Sequence, residues 1–542
     1  MVDATTDTKA SAVLDSAHIG DIEGAFGTLP LDHPPSVGLK ARLVTLFAIV
    51  GPGLIVMVGD NDAGAFGTYT QAGQMYGTSL LWVLLLLVPV LYVNQEMVLR
   101  LGVVTGVGHA RLILERFGRF WGAFSVIDLF ILNALTIVTE FIGISLGLHY
   151  LGLPKIPGVL LSAVAVVAAA STGSFRRFEQ VCMALVAGSF LLVPIYWIVH
   201  PPAGQMVRDF LIPRLPRGAD LSKVVLLIIA VIGTTVAPWQ LFFQQSYIID
   251  KRITPRFIAY EKADLWIGIV IVIVGAAAII AFTAATFSGH PEFGTFTDAE
   301  GVAQGLGKYV SKLAGILFAL ALIDASIIGA AAVGLSTSYA LSDVLGLKHS
   351  LHRKVTDAKG FYLAFAGLLV VSAVIVLIPG SPLGLLTVGV QVLAGVLLPS
   401  ATVFLLLLCN DREVLGPWVN GLALNLFTSM VIGILVVLSL ILTAGVLFPD
   451  LGANAVLAIL GGGAVLMAAV GVMFLIARRR HPPLPVVRQL PGRGTWRMPP
   501  LTLLATPKLS LARTIGLTVL RAYLLLAMLL VVVRVVQLAL GH

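Results

Sequence analysis

In VGDNDAGAFGTYTQAG, Val58 to Gly73, Asp60, Asn61 and Asp62 stand among glycines, alanines and apolar residues. Oxygen-bearing side chains in such a setting can hold a cation, hold a proton or cap a broken helix. Gly59, Gly64 and Gly67 weaken a helix there, and a break frees backbone carbonyls as further oxygen donors. A second stretch has the same character: VIGTTVAPWQLFFQQ, Val231 to Gln245, carries Pro238 in the middle of an apolar run. Pro238 removes a helical hydrogen bond, and Thr234, Thr235 and Gln240 add oxygens nearby. Glu96, Asp128, Glu140 and Asp324 are further acids inside apolar segments.

These residues need elements to hold them, and the composition says which. Of 542 residues 58% are apolar and only 11% charged, and the mean hydropathy is +0.99. A soluble domain carries roughly a quarter charged residues, so this is an all-α integral membrane protein. Apolar segments at 40–67, 79–104, 119–150, 156–173, 179–199, 221–249, 262–287, 308–343, 360–379, 383–409, 418–448 and 453–477 predict twelve spans, each near the roughly 20 residues a bilayer requires. The loops with Arg111 and Arg116, Arg176 and Arg177, Lys251 and Arg252, Arg353 and Lys354, and Arg478 to Arg480 all fall on one side. Lys/Arg bias marks the cytoplasmic side, which puts the amino terminus in the cytoplasm of a multi-pass cell-membrane protein. The loop with Arg208, Arg214 and Arg217 runs against the rule.

Residues 1–39 read as a disordered cytoplasmic tail without a secretory signal. The segment 40–199 forms a first group of five helices, 221–409 a second, and 418–477 helices eleven and twelve. A Pro/Arg-rich cytoplasmic linker, 478–513, precedes an apolar run at 514–540. That run either crosses the membrane or lies along its surface with Arg521 and Arg534 snorkelling; the reading leans towards a span. The breaks fall in the first and sixth spans, at corresponding places of two five-helix halves. This arrangement points to a transporter with inverted repeats and a midplane site.

The run GPGLIVMVGDNDAGAFGTYTQAGQMYGTSLLW, Gly51 to Trp82, resembles the first-helix region of the Nramp family of divalent metal transporters. FRRFEQV (Phe175 to Val181), TVAPWQ in the sixth span and VGVQVLAGVLLPSATVFLLLLCNDREVLG (Val388 to Gly416) extend the likeness. It implies a leucine-transporter-type fold of two inverted five-helix repeats with additional C-terminal helices. It also implies a metal held at the two breaks: Asp62 as principal ligand, Gly59 and Thr234 through carbonyls, and Gln391 closing over the ion. Asp60 and Asn61 are additional, through water; for Asp60 a helix-break role without ion contact stands equally open. The family motif Asp-Pro-Gly-Asn reads Asp62-Ala63-Gly64-Ala65 here, and Met-Pro-His reads Ala237-Pro238-Trp239. The departures leave Ala65 and Ala237 where amide and thioether ligands stand in the family.

Thioethers favour soft transition metals, whereas carboxylates, carbonyls and water suit magnesium and manganese. Magnesium dehydrates reluctantly and keeps several waters. The pattern therefore resembles the branch of Nramp-related magnesium transporters, with Mg2+ and also Mn2+ as transported substrate and no cofactor. Glu140 falls on a family glutamate associated with proton movement, but Ile137 stands where a neighbouring carboxylate would be, and Trp239 and Gln244 replace two histidines. Glu140 is then the remnant of a proton path, or an acid hydrogen-bonded to a neighbouring helix, and transport is expected to be uncoupled from protons. The competing expectation is a proton-coupled Mn2+/Fe2+ transporter. No phosphate loop, nucleophile motif or metalloprotease His-Glu pair indicates an enzyme. The net charge of +8 is loop topology rather than a nucleic-acid face, and the lipid bilayer and a divalent ion are the expected partners of a functional monomer.

Overall fold

The computed structural model describes residues 16–30, 38–216, 218–378, 383–447, 452–480 and 496–504, with isolated residues between 514 and 529. A short hairpin, β1 (Ile22–Gly24) and β2 (Gly27–Leu29), precedes the helices. They are α1 (Leu39–Ile49), α2 (Pro52–Gly59), α3 (Ala63–Tyr76), α4 (Leu81–Thr105), α5 (His109–Phe117), α6 (Arg119–Tyr150), α7 (Lys155–Ala170), α8 (Phe175–Gly188), α9 (Leu192–Val199) and α10 (Ala203–Leu211). The second half has α11 (Leu221–Thr235), α12 (Pro238–Asp250), α13 (Ile258–Phe287), α14 (Ala299–Tyr309), α15 (Lys312–Leu345), α16 (Lys359–Val376) and α17 (Leu383–Cys409). α18 (Arg412–Leu415), α19 (Leu422–Leu447) and α20 (Ala453–Arg480) follow.

Among the described residues ten helical segments are long and apolar enough to cross a membrane; α1 and α2 form a pair bent by 52°, and α7 is a shorter apolar helix. Five spans fall in each half: α1 with α2 and α3, then α4, α6, α7 and α8 with α9, matched by α11 with α12, then α13, α15, α16 and α17. The local sequence sets the interruptions. Pro52 and Pro238 occupy first-turn positions of α2 and α12, where a missing N–H costs nothing. Asp62 caps α3 by accepting from the Ala65 N–H, as N-cap carboxylates do. α4 and α15 stop at Gly106 and Gly346 in the left-handed conformation, which glycine adopts without strain.

α15 packs most extensively on α6, α17 lies along α11, and α13 covers α2 and α3, so both breaks are enclosed by unbroken helices. Three expectations are corrected. The expected disordered tail contains an ordered, buried hairpin, because Ile22 and Leu29 are covered by Ala48, Ile49, Leu99 and Val103. The first span has two interruptions, at Gly51 as well as at 60–62, since Lys251 takes the last carbonyls of α1. Part of the expected linker docks: the Met498 N–H donates to the Val104 carbonyl. The run 514–540 lies largely outside the described residues.

Candidate metal-ion site

The two breaks face each other. Gln240, in the first turn of α12, donates to Asp60 Oδ1 and receives a 2.8 Å bond from Gln95. Tyr69 Oη and Thr235 Oγ1 lie 2.7 Å apart. Trp239, behind Ala237, packs within 3.7 Å of where a Cβ on Gly59 would stand. Asp60, Asp62, Thr234 and Ala65 are all buried.

The breaks free the expected carbonyls. Pro238 has no N–H for the Thr234 carbonyl four residues earlier. The Ala63 N–H, which would close the turn on Gly59, instead donates to Glu140 Oε2 at 3.1 Å. Both carbonyls lie at helix C-termini, whose partial negative charge favours a cation. Polar atoms without protein partners cluster here too: Asp60 Oδ2, Thr234 Oγ1, Glu140 Oε1 and Gln391 Nε2. The Gln391 amide lies directly over Gly64, where a Cβ would overlap it, so α17 does reach across the first break.

Two placements were not legible beforehand. Glu140 is not an isolated acid: a Cβ on Gly329 would sit 2.8 Å from Glu140 Cδ and 3.0 Å from Asp62 Cβ, so the two acids meet over that glycine. The sequence shows an acid in the first span and another in the third, but spacing could not show that their helices touch. Asn61 goes the other way. Its Nδ2 donates to the Val272 carbonyl at 3.2 Å, which turns it towards α13 and away from Asp62. Ala65 and Ala237 leave no donor at their positions. Glu96 pairs with Arg100 and Lys262 at 3.2 and 2.9 Å. Among the described residues no group of three or more His, Cys, Asp or Glu forms a metal cage. The donors at the breaks are oxygens and amides, few of them charged.

Two helices interrupted at corresponding places of two five-helix halves define the class of secondary membrane transporters. Residues 53–445 match the family described as Natural resistance-associated macrophage protein-like. The chain is 28% identical over 406 residues to the divalent metal cation transporter MntH of Ralstonia nicotianae, covering 72% of this chain and 88% of that one. It is 27% identical over 397 residues to MntH of Latilactobacillus sakei, covering 69% and 84%. The crystal structure of the Eremococcus coleocola manganese transporter, bound to an aromatic bis-isothiourea compound, superposes with a TM-score of 0.62 at 20% identity, over 83% of this chain and 99% of that one. The chain belongs to the Natural resistance-associated macrophage protein-like, or Nramp, family. It is a multi-pass membrane transporter of leucine-transporter-type fold, not an enzyme.

Proposed function

We propose that this chain carries divalent metal ions across the cell membrane by alternating access, with Mg2+, and also Mn2+, as substrate. The observation that carries the selectivity is the pair Ala65 and Ala237. Both are buried at the breaks, and both stand where the resemblance puts an amide and a thioether. What remains is Asp62, the Gly59 and Thr234 carbonyls, Gln391 and Asp60, a hard donor set with one principal carboxylate. Such a set suits an ion that keeps several waters. The relatives' names, divalent metal cation transporter and manganese transporter, support the broader function. In this reading the amino terminus and the hairpin end face the cytoplasm, an orientation supported by the Lys/Arg bias of the loops.

Transport is uncoupled from protons in this reading, because the imidazoles and second carboxylate of the family's path are absent. One observation favours the alternative of proton-coupled Mn2+ transport: Glu140 meets Asp62, so a proton on one acid would be felt at the other. Purified protein in liposomes, given Mg2+, Ca2+, Mn2+ and Cd2+ in turn with a pH dye inside, separates the two. Mg2+ entry without acidification supports the first; preference for Cd2+ with acidification abolished by Glu140→Gln supports the second.

A further inference from the structure

We propose that the N-terminal hairpin, residues 16–30, is a strap over the cytoplasmic exit that must lift for the ion to leave on that side. The inference rests on the transport reading above and on its assignment of the cytoplasmic face.

A two-stranded hairpin is marginal in water on its own, so its order comes from what it docks against. That surface is a meeting of helix ends. Ile22 and Leu29 enter a small apolar cluster with Ile49 at the end of α1, Leu99 and Val103 of α4, Ile248 of α12 and Phe257 before α13. The polar contacts converge on one node. Glu179 of α8 accepts the Ala25 N–H through Oε2 at 2.6 Å and Lys251 Nζ through Oε1 at 2.7 Å. Lys251 in turn donates to the Ile49 and Val50 carbonyls at 2.6 and 3.0 Å. The hairpin turn is therefore tied through two side chains to α8, α12 and the bend that leads into α2. Arg252 fastens the other end, donating to the Ala17 and Asp21 carbonyls at 3.0 and 3.1 Å from a left-handed backbone at φ 66°.

The attachment is close but shallow. Beside residues 18–20, before β1, lies an open-sided cavity of about 310 Å³ that Gly102, Ile249, Arg252 and Thr254 also line. Ile22 and Leu29 are the hairpin's two residues in the apolar cluster, and the ties of Ala25, Ala17 and Asp21 join hairpin backbone groups to side chains of the body, where water can take their place. α2 runs from this node straight to Asp60 at the first break. Movement of α2 away from α8 would part the Ala25–Glu179 bond, so the strap and an open exit exclude each other.

The test is Leu29→Cys in a chain whose buried native thiols are removed by Cys182→Ala and Cys409→Ala, labelled in proteoliposomes from the cytoplasmic face with a membrane-impermeant maleimide. Labelling is expected to be slow at rest, about fivefold faster during Mg2+ flux towards that face, and slow again when Asp62→Ala is added. Gly24→Val, whose side chain would collide with the Ala48 carbonyl, and removal of residues 1–30 should both raise the flux several-fold. Labelling indifferent to flux, or parental flux in folded Gly24→Val and truncated protein, overturns the strap. If the parental protein carries Mn2+ but not Mg2+, the same measurements run with Mn2+, so a wrong substrate and a wrong strap give different results.

Discussion

Two groups of carboxyls lie buried at the two ends of α2, and their partners differ. At the breaks, Asp60, Asp62 and Glu140 meet an amide, backbone N–H groups and, for Asp62 and Glu140, each other, with no lysine or arginine among these partners. At the hairpin end, Glu179 is paired with Lys251 at 2.7 Å, and Asp264 accepts the Gly51 and Gly53 N–H groups at 3.2 and 2.7 Å. Burial is equal in the two places. An acid at depth needs a countercharge or dense hydrogen bonding. The lower group has a lysine built in and holds helices together, whereas the upper group leaves room for a charge that comes and goes.

The sharpest way to break this contrast is to remove one member of each group and read both flux and melting. Asp62→Ala should reduce Mg2+ flux in proteoliposomes roughly a hundredfold, as its proposed role of principal charged ligand requires, with little change in melting temperature. Asp60→Ala should be milder; the reverse order would move the site by two residues. Lys251→Met should do the opposite, lowering melting by several degrees because it strands Glu179 uncompensated, a loss of about 3 kcal/mol. If the variant melts like the parent, the lower group is not structural. Next in size, Ala65→Asn with Ala237→Met should shift the Mn2+ to Mg2+ flux ratio about tenfold towards Mn2+ by restoring softer donors; an unchanged ratio in folded protein would place selectivity elsewhere.

The smallest effect is expected far from both groups. In the loop after α13, the Tyr309 hydroxyl and Lys308 hold the Glu292 carboxyl down to about 2. A carboxyl depressed in the folded state contributes above its unfolded pKa and loses that contribution as pH falls towards the folded one. Glu292 is thus ionised throughout about pH 5 to 8, and Glu292→Gln should leave the pH profile of flux unchanged over that window. A shifted profile would give this loop a part in the transport cycle.

The helices and both breaks were legible because lipid forces long apolar runs and makes every polar exception conspicuous. Asp60, Asp62 and Pro238 announced themselves in this way, and Gln391 came through the resemblance alone. Contacts between spans were not legible. Nothing in the spacing says that Glu140 and Asp62 share Gly329, or that Asn61 turns to Val272 instead. The hairpin was missed for another reason: residues 16–30 are polar and short, and their order depends on Glu179 and Arg252, well over a hundred residues away. Lys251 looked like an ordinary loop charge until its burial against two carbonyls made it a helix terminator.

The bend at Gly51 gives the first span the mechanics of a lever. α2 has only eight residues between that bend and the break at Asp60, a rigid arm of about 12 Å. Turning such an arm by about ten degrees carries its far end roughly 2 Å. That displacement is close to one magnesium–oxygen bond, about 2.1 Å. A rotation small enough to leave the surrounding helices packed is therefore large enough to decide whether the Gly59 carbonyl is within bonding distance of an ion.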